Sequence, residues 1–239
     1  MNTIAQSVID AHGGLAQWRK FRQVSARLVQ GGALWGLKGF AGVLDETTVT
    51  VATDRQWASH APVGALAARS EFTGDRIALL DSAGRVLAER EDPRGSFDGH
   101  ALETRWDELQ LAFFAGCAMW TYLNVPFVLA WDGVRCDDDG VREEQGETWR
   151  RIRVHYPDAL EVFSKTQTIY VGPDGLLRRL DYDVEIAGNT PGAHYVSDYT
   201  TVSGIRFPTK RRIYPRTPDG HALPEPLVVS IDLHDIALS

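Results

Sequence analysis

Hydrophobic and polar residues alternate along most of this chain, with a repeat nearer to two residues than to the 3.6 of a helix. The alternation is clearest in Leu180-Asp181-Tyr182-Asp183-Val184-Glu185-Ile186, where a strand would send Leu, Tyr, Val and Ile to one side and the acids to the other. Further β-prone stretches at 24–31, 40–53, 55–60, 68–72, 76–81 and 85–91 are punctuated by Gly, Pro and Asp. Residues 127–131, 149–156, 166–171, 176–186, 194–202, 205–214 and 227–235 continue the series. Turn chemistry sits at Asp81-Ser82-Ala83-Gly84, Pro173-Asp174-Gly175 and Ser203-Gly204. Residues 215–226, with four prolines, read as a loop before the last strand.

Two stretches carry a helical period instead. Ile4, Val8, Ile9, Leu15 and Trp18 predict a short N-terminal helix, with Asn2 or Thr3 as N-cap and Gly13-Gly14 as its break. Residues 104–124 predict a longer one, in which Thr104 and Asp107 resemble a capping box and Leu109, Phe113, Trp120 and Leu123 lie close to one face. Leu111, Phe114, Ala118 and Met119 add apolar surface around the other sides, so this helix should be nearly surrounded by protein until Pro126 stops it. The predicted fold class is therefore α+β, a highly curved antiparallel sheet or half-barrel wrapped around a buried central helix. No repeat or composition shift divides the chain, and residues 1–239 read as one domain.

Charge and motifs narrow the function by exclusion. A formal net charge of −7 argues against nonspecific binding to nucleic acid or anionic membrane surfaces. The basic clusters at Arg150, Arg151 and Arg153 and at 210–212 read as solvated strand faces. No phosphate loop, HExxH helix, GxSxG elbow or paired CxxC is present. The glycine-rich run at 31–42 fails the dinucleotide pattern, because it leads into strand-like residues; it reads as bulged, curved strand or as a cavity mouth. Asp137-Asp138-Asp139-Gly140 fails as a calcium loop, since aligning its glycine puts Arg135 at the first ligand position; Asp137, Asp138, Asp139, Glu143, Glu144 and Glu147 read as a solvated hairpin tip. The seven histidines show no paired metal-site spacing, so neither metal nor cofactor is expected. Two cysteines, Cys117 and Cys136, make no disulfide framework. The opening residues lack a signal-peptide pattern, and the longest apolar run, 109–120, is too short to insert stably in a membrane. These features together predict a soluble, cytoplasmic protein.

An early Ala-His-Gly-Gly at 11–14 with Trp18, the hairpin YVGPDGLLRRLDY and the segment DYTTVSGIRFPTK at 198–210 give the chain, over most of its length, a pattern that resembles the LolA/LolB-like group of half-barrels. The resemblance implies a cavity for acyl chains between an incomplete barrel and its helices. A violacein-biosynthesis enzyme of similar fold, which works without a cofactor, implies that such a cavity can also host chemistry.

The abundance of aromatic residues points the same way, toward an apolar pocket with a few polar groups. The leading expectation is enclosure of a small hydrophobic or aromatic molecule, with Trp35, Phe40, Phe113, Trp120 and Tyr182 as ligand-binding residues. A cofactor-independent enzyme is the second reading. Its acid-base pair would be His194 with Asp198, which share one strand parity beside Tyr195 and Tyr199. A third reading is an interaction module that pairs through an open sheet edge. Nothing in the sequence fixes the oligomeric state.

Overall fold

The computed structural model describes residues 3–239, so Asn2, one of the two N-cap candidates, lies outside the described residues. Near the N-terminus, α1 (Thr3–Ala11) and α2 (Leu15–Trp18) flank the Gly13-Gly14 break. Six strands follow: β1 (Gln23–Gly31), β2 (Glu46–Ala52), β3 (Trp57–Ala61), β4 (Arg69–Thr73), β5 (Arg76–Leu80) and β6 (Val86–Glu91). A short helix, α3 (Ala33–Lys38), interrupts them, and α4 (Glu108–Asn124) separates them from the rest. The second series is β7 (Arg135–Glu144), β8 (Glu147–His155), β9 (Thr166–Val171), β10 (Leu177–Val184), β11 (Thr190–Val202), β12 (Ile205–Pro215) and β13 (Val229–Leu238).

All thirteen strands join one open antiparallel sheet in the order β6-β5-β4-β3-β2-β1-β13-β12-β11-β10-β9-β8-β7. Strands consecutive in sequence are neighbours except β6 and β7, which form the two edges, and the halves meet in the middle where β1 pairs with β13. The curved sheet turns Val24, Ala26 and Leu28 of β1 and Leu180 and Tyr182 of β10 toward one core. In that hollow lies α4, with every residue from Gln110 to Asn124 buried. This is the half-barrel around a central helix that the sequence predicts.

The helix is held at its start by a reciprocal cap: Asp107 Oδ1 accepts from the Gln110 amide at 2.8 Å, and Gln110 Oε1 accepts from the Asp107 amide at 2.9 Å. The capping box is thus one turn later than the expected Thr104–Asp107 pair; Thr104 Oγ1 instead accepts from the Ala101 amide in the preceding loop. α4 packs on β2 to β5. Closest approach is at Gly116, where an added Cβ would stand 2.6 Å from Phe72 Cβ on β4. Gly116→Ala should accordingly destabilise the fold by about 1–3 kcal/mol through overpacking, and a urea melt within 0.5 kcal/mol of wild type would contradict this contact.

Three local expectations are corrected. The glycine-rich run is not bulged strand: Gly32 (φ 108) and Gly39 (φ 93) bound the helix α3, and strand resumes only at Glu46. Glycine at those positions ends a helix, because only it adopts such backbone freely. Residues 127–131 are not strand either, since Phe127–Ala130 forms a 3-10 turn directly after Pro126. Of the acidic group, Glu143, Glu144 and Glu147 flank the hairpin turn at Gln145-Gly146, but Asp137, Asp138 and Asp139 lie within β7 and not at its tip. There Asp138 pairs with Arg150 at 2.7 Å and Asp139 with Arg151 at 2.5 Å, so the acidic and basic clusters neutralise one another across the hairpin.

Candidate functional site

Because α4 leans on β2 to β5, it stands away from the other half of the sheet. Between it and β10 to β13 lies a cavity of about 620 Å³. From α4 it takes Phe114, Ala115, Ala118, Met119 and Tyr122, residues spaced so that they share one helical face. The small side chains Ala115 and Ala118 leave the space open. Opposite them stand Tyr182 of β10, Ile213 of β12 and Ile231 of β13, and α3 closes one side through Leu34 and Trp35. The loop before α4 contributes Leu102 and Trp106. Lys38 ties that loop to α3: its buried ammonium donates to the carbonyls of Leu102 at 2.6 Å and Thr104 at 3.0 Å and sits 4.7 Å from the Trp106 ring centroid. Burial lowers its pKa to about 8, so the contact is made by the charged form at neutral pH.

The lining is overwhelmingly apolar, and Gln30, one of its polar members, spends its amide on the Leu44 carbonyl at 3.1 Å. Polarity is concentrated at Tyr122 and Tyr182, whose hydroxyls are 2.9 Å apart. Behind them is His194, fully buried on β11, with Nδ1 3.3 Å from Tyr182 Oη and its ring 4.5 Å from that of Tyr122. Arg211 of β12 completes the group, with Nη1 3.4 Å from His194 Nε2 and Nη2 donating to the Tyr122 carbonyl at 2.8 Å. Burial pushes the Tyr122 phenol up to about 12 and pulls the Arg211 guanidinium down to about 10. Burial, with Arg211 second, holds the His194 imidazole well below its ordinary value, so at neutral pH the ring is uncharged beside a cationic arginine.

Of the residues singled out from the sequence, Trp35 and Tyr182 line the cavity. Phe113 and Trp120 lie on the opposite side of α4: Phe113 meets Phe72 at 5.6 Å between centroids, and Trp120 Nε1 donates to the Arg55 carbonyl at 2.8 Å. Phe40 is partly buried against the core and is not in the lining. His194 and Asp198 are not brought together. Asp198 takes a left-handed backbone (φ 55), which interrupts the alternation along β11, and its exposed carboxylate pairs with Lys210 at 2.6 Å. Tyr122, Arg211, Ala115 and Ala118 were missed. The legible signal was the pair of alanines one turn apart on a helix otherwise rich in large apolar residues.

Arg179 and Asp181 also belong elsewhere. On the face of β10 away from the cavity, the Arg179 guanidinium donates to Asp181 at 2.6 and 2.9 Å, to Glu144 at 3.0 Å and to the Gly220 carbonyl at 2.6 Å. Tyr170 donates to Asp181 Oδ2 at 2.8 Å. Asp181 is therefore buried, and its carboxylate is occupied by structural partners.

No protein-family model matches the chain, and no curated protein matches it. Among solved structures, a LolA superfamily protein from Nitrosomonas europaea superposes with a TM-score of 0.50 at 10% identity, covering 98% of this chain and 93% of that one. The fold is LolA-like. A DUF1329 family protein from Desulfovibrio piger (TM-score 0.49, 12% identity, 100% and 94% covered) and a putative outer membrane lipoprotein-sorting protein domain from Vibrio parahaemolyticus (0.49, 8%, 99% and 91%) are also similar. The likeness to the LolA superfamily protein overturns the expectation of a cytoplasmic protein, which rested on the lack of a signal-peptide pattern and of a disulfide framework. The cysteines do not decide the compartment: Cys117 and Cys136 are both buried, in α4 and β7 respectively, and no disulfide joins them. Among the described residues no helix is long and apolar enough to cross a membrane.

Proposed function

We propose that this protein encloses one small hydrophobic or aromatic molecule between α4 and the β10–β13 half of its LolA-like sheet, acting as a binding protein with residues 1–239 as a single domain. The observation that carries this reading is the apolar cavity itself. Its volume of about 620 Å³ falls within the roughly 300–1,000 Å³ typical of small-molecule sites. Its floor is built from a helix and strands, so the space does not depend on a loop closing over it. Burying an apolar ligand there removes its surface from water at about 25 cal/mol per Å², and the lining offers little polar surface that would have to be desolvated in exchange.

Two observations rank this reading above the others. The acid-base pair His194–Asp198 is not assembled, and His194 is kept neutral behind Tyr122 and Tyr182. Both sheet edges carry charge: Glu89, Arg90 and Glu91 on β6, and Asp137, Asp138 and Asp139 on a β7 whose register slips between Asp138 and Val141. Charged and bulged edges discourage strand pairing with a partner.

The direct experiment is native mass spectrometry of freshly purified protein, which should show one bound organic molecule that is lost on denaturation. Filling the void supplies the control. Ala118→Phe should displace a fluorescent naphthylamine probe by at least tenfold in Kd while the circular dichroism spectrum is kept. Equal probe binding by A118F and wild type would remove the cavity from consideration.

A further inference from the structure

Arg211 differs from its neighbours on β12. Lys210 pairs with Asp198 at 2.6 Å and Arg212 with Asp232 at 2.7 Å, both toward the outside, whereas Arg211 is buried and, among the described residues, has no carboxylate partner. Its Nε has no hydrogen-bond partner there either. A guanidinium sealed among aromatic rings without an anion is costly, and a single anionic group nearby would relieve that cost.

The hydrogen bonds leading from this cation toward the cavity are fixed in direction at their first two links. Arginine donates and cannot accept, so His194 Nε2, 3.4 Å from Arg211 Nη1, must be the accepting ring nitrogen. A neutral imidazole carries one ring hydrogen, which then resides on Nδ1 and is donated to Tyr182 Oη at 3.3 Å. The arrangement in which Tyr182 gives its own hydrogen to Tyr122 Oη at 2.9 Å continues that direction. In it the Tyr122 hydroxyl is left as a donor with no acceptor among the described residues, and Tyr122 lines the cavity. Each link polarises the next in the same sense, away from the positive charge.

We infer that the molecule held in this cavity carries a hydrogen-bond acceptor that meets Tyr122 Oη, and that the acceptor is a carboxylate at the end of an apolar body. The inference rests on the enclosure reading above and deepens it by fixing the polar end of the ligand. A carboxylate offers only lone pairs to the free donor, and its charge complements Arg211 through a low-dielectric wall. An amine at the same place would set a donor against a donor and a cation against a cation. The apolar remainder of the ligand would extend along Ala115 and Ala118 toward Trp35.

The test uses three single-chain probes of equal length, dodecanoate, dodecylamine and dodecane, titrated by displacement of the naphthylamine dye at pH 7.5, where the carboxylate is ionised. Wild type should bind dodecanoate at least tenfold more tightly than dodecylamine. Tyr122→Phe keeps the ring and removes the donor, and should weaken dodecanoate by on the order of tenfold to a hundredfold while leaving dodecane unchanged. Should Tyr122→Phe fail to fold, Tyr182→Phe cuts the relay one link earlier and should weaken dodecanoate in the same selective way. If dodecanoate and dodecylamine bind wild type equally, or if the folded variant loses nothing, the acceptor inference is overturned and enclosure of an apolar molecule survives. If none of the three probes displaces the dye, and the dye binds A118F as well as wild type, the enclosure reading falls and this inference with it.

Discussion

Taking the protein from pH 7 to pH 4 should remove several kcal/mol of stability. His60 is buried with no partner for either ring nitrogen, and burial lowers its pKa from 6.5 to about 4. His12, buried with Nδ1 2.8 Å from the Val8 carbonyl, is likewise lowered to about 4, chiefly by burial. Below pH 6.5 the unfolded chain takes up these protons and the native state does not until about pH 4. The unfolded state therefore gains relative stability throughout that window, and above pH 6.5 these groups contribute no pH dependence. At roughly 1.4 kcal/mol per pH unit, each site accounts for about 3 kcal/mol when the window is crossed in full. His194 acts in the same direction. Urea melts at pH 7.5, 6, 5 and 4 would read the slope, and His60→Leu, which removes a buried titrating group without stranding a partner, should flatten it by about a third to a half. Stability unchanged between pH 7 and pH 5 would mean that these rings reach solvent or a carboxylate.

Trp120→Ala should cost about 3–5 kcal/mol, the range for truncating a large aromatic side chain in a packed core. Trp120 is fully buried, meets Trp131 edge-on at 5.2 Å and donates to the Arg55 carbonyl, so the alanine would leave both a void and an unsatisfied acceptor. A smaller cost would apply to a residue facing an existing space, and Trp120 does not line the cavity. The variant, studied below its midpoint temperature, should still bind the naphthylamine dye. A loss under 1 kcal/mol in a denaturant melt would show that the two sides of α4 have been assigned the wrong way round.

That assignment marks where sequence reading reached its limit. Strands with one face in the core and one toward water announce themselves, and residues 166–171 were placed to the residue as β9. The central helix was legible as buried because its apolar residues exceed one stripe. For the same reason its period could not say which side met the packed sheet and which the cavity, and Phe113 and Trp120 were put on the wrong side. The pairing of His194 with Asp198 assumed unbroken alternation, and a single left-handed residue at Asp198 undid it. The acidic run on β7 looked like loop because its partners, Arg150, Arg151 and Arg153, are distant in the pattern and meet it only once the hairpin has formed. Tyr122 and Arg211 had no sequence signature at all, since their interest lies in what each fails to find as a partner.

The pairing of β1 with β13 makes the chain's order and its spatial order disagree in an instructive way. Read from β7 through β13 and on from β1 to β6, the sheet is one uninterrupted up-and-down ribbon. The seam that joins its halves is made by β1 and β13, strands far apart in the sequence. During synthesis each half can zip up by local hairpins, but the hollow around α4 cannot close until the final strand is available, across a sequence separation of about two hundred residues. An apolar helix would meanwhile rest on half a wall. Loss of β13 would thus strike the keystone of the arch and leave two half-sheets with a bare hydrophobic face each, the kind of intermediate that quality control removes and that aggregation captures.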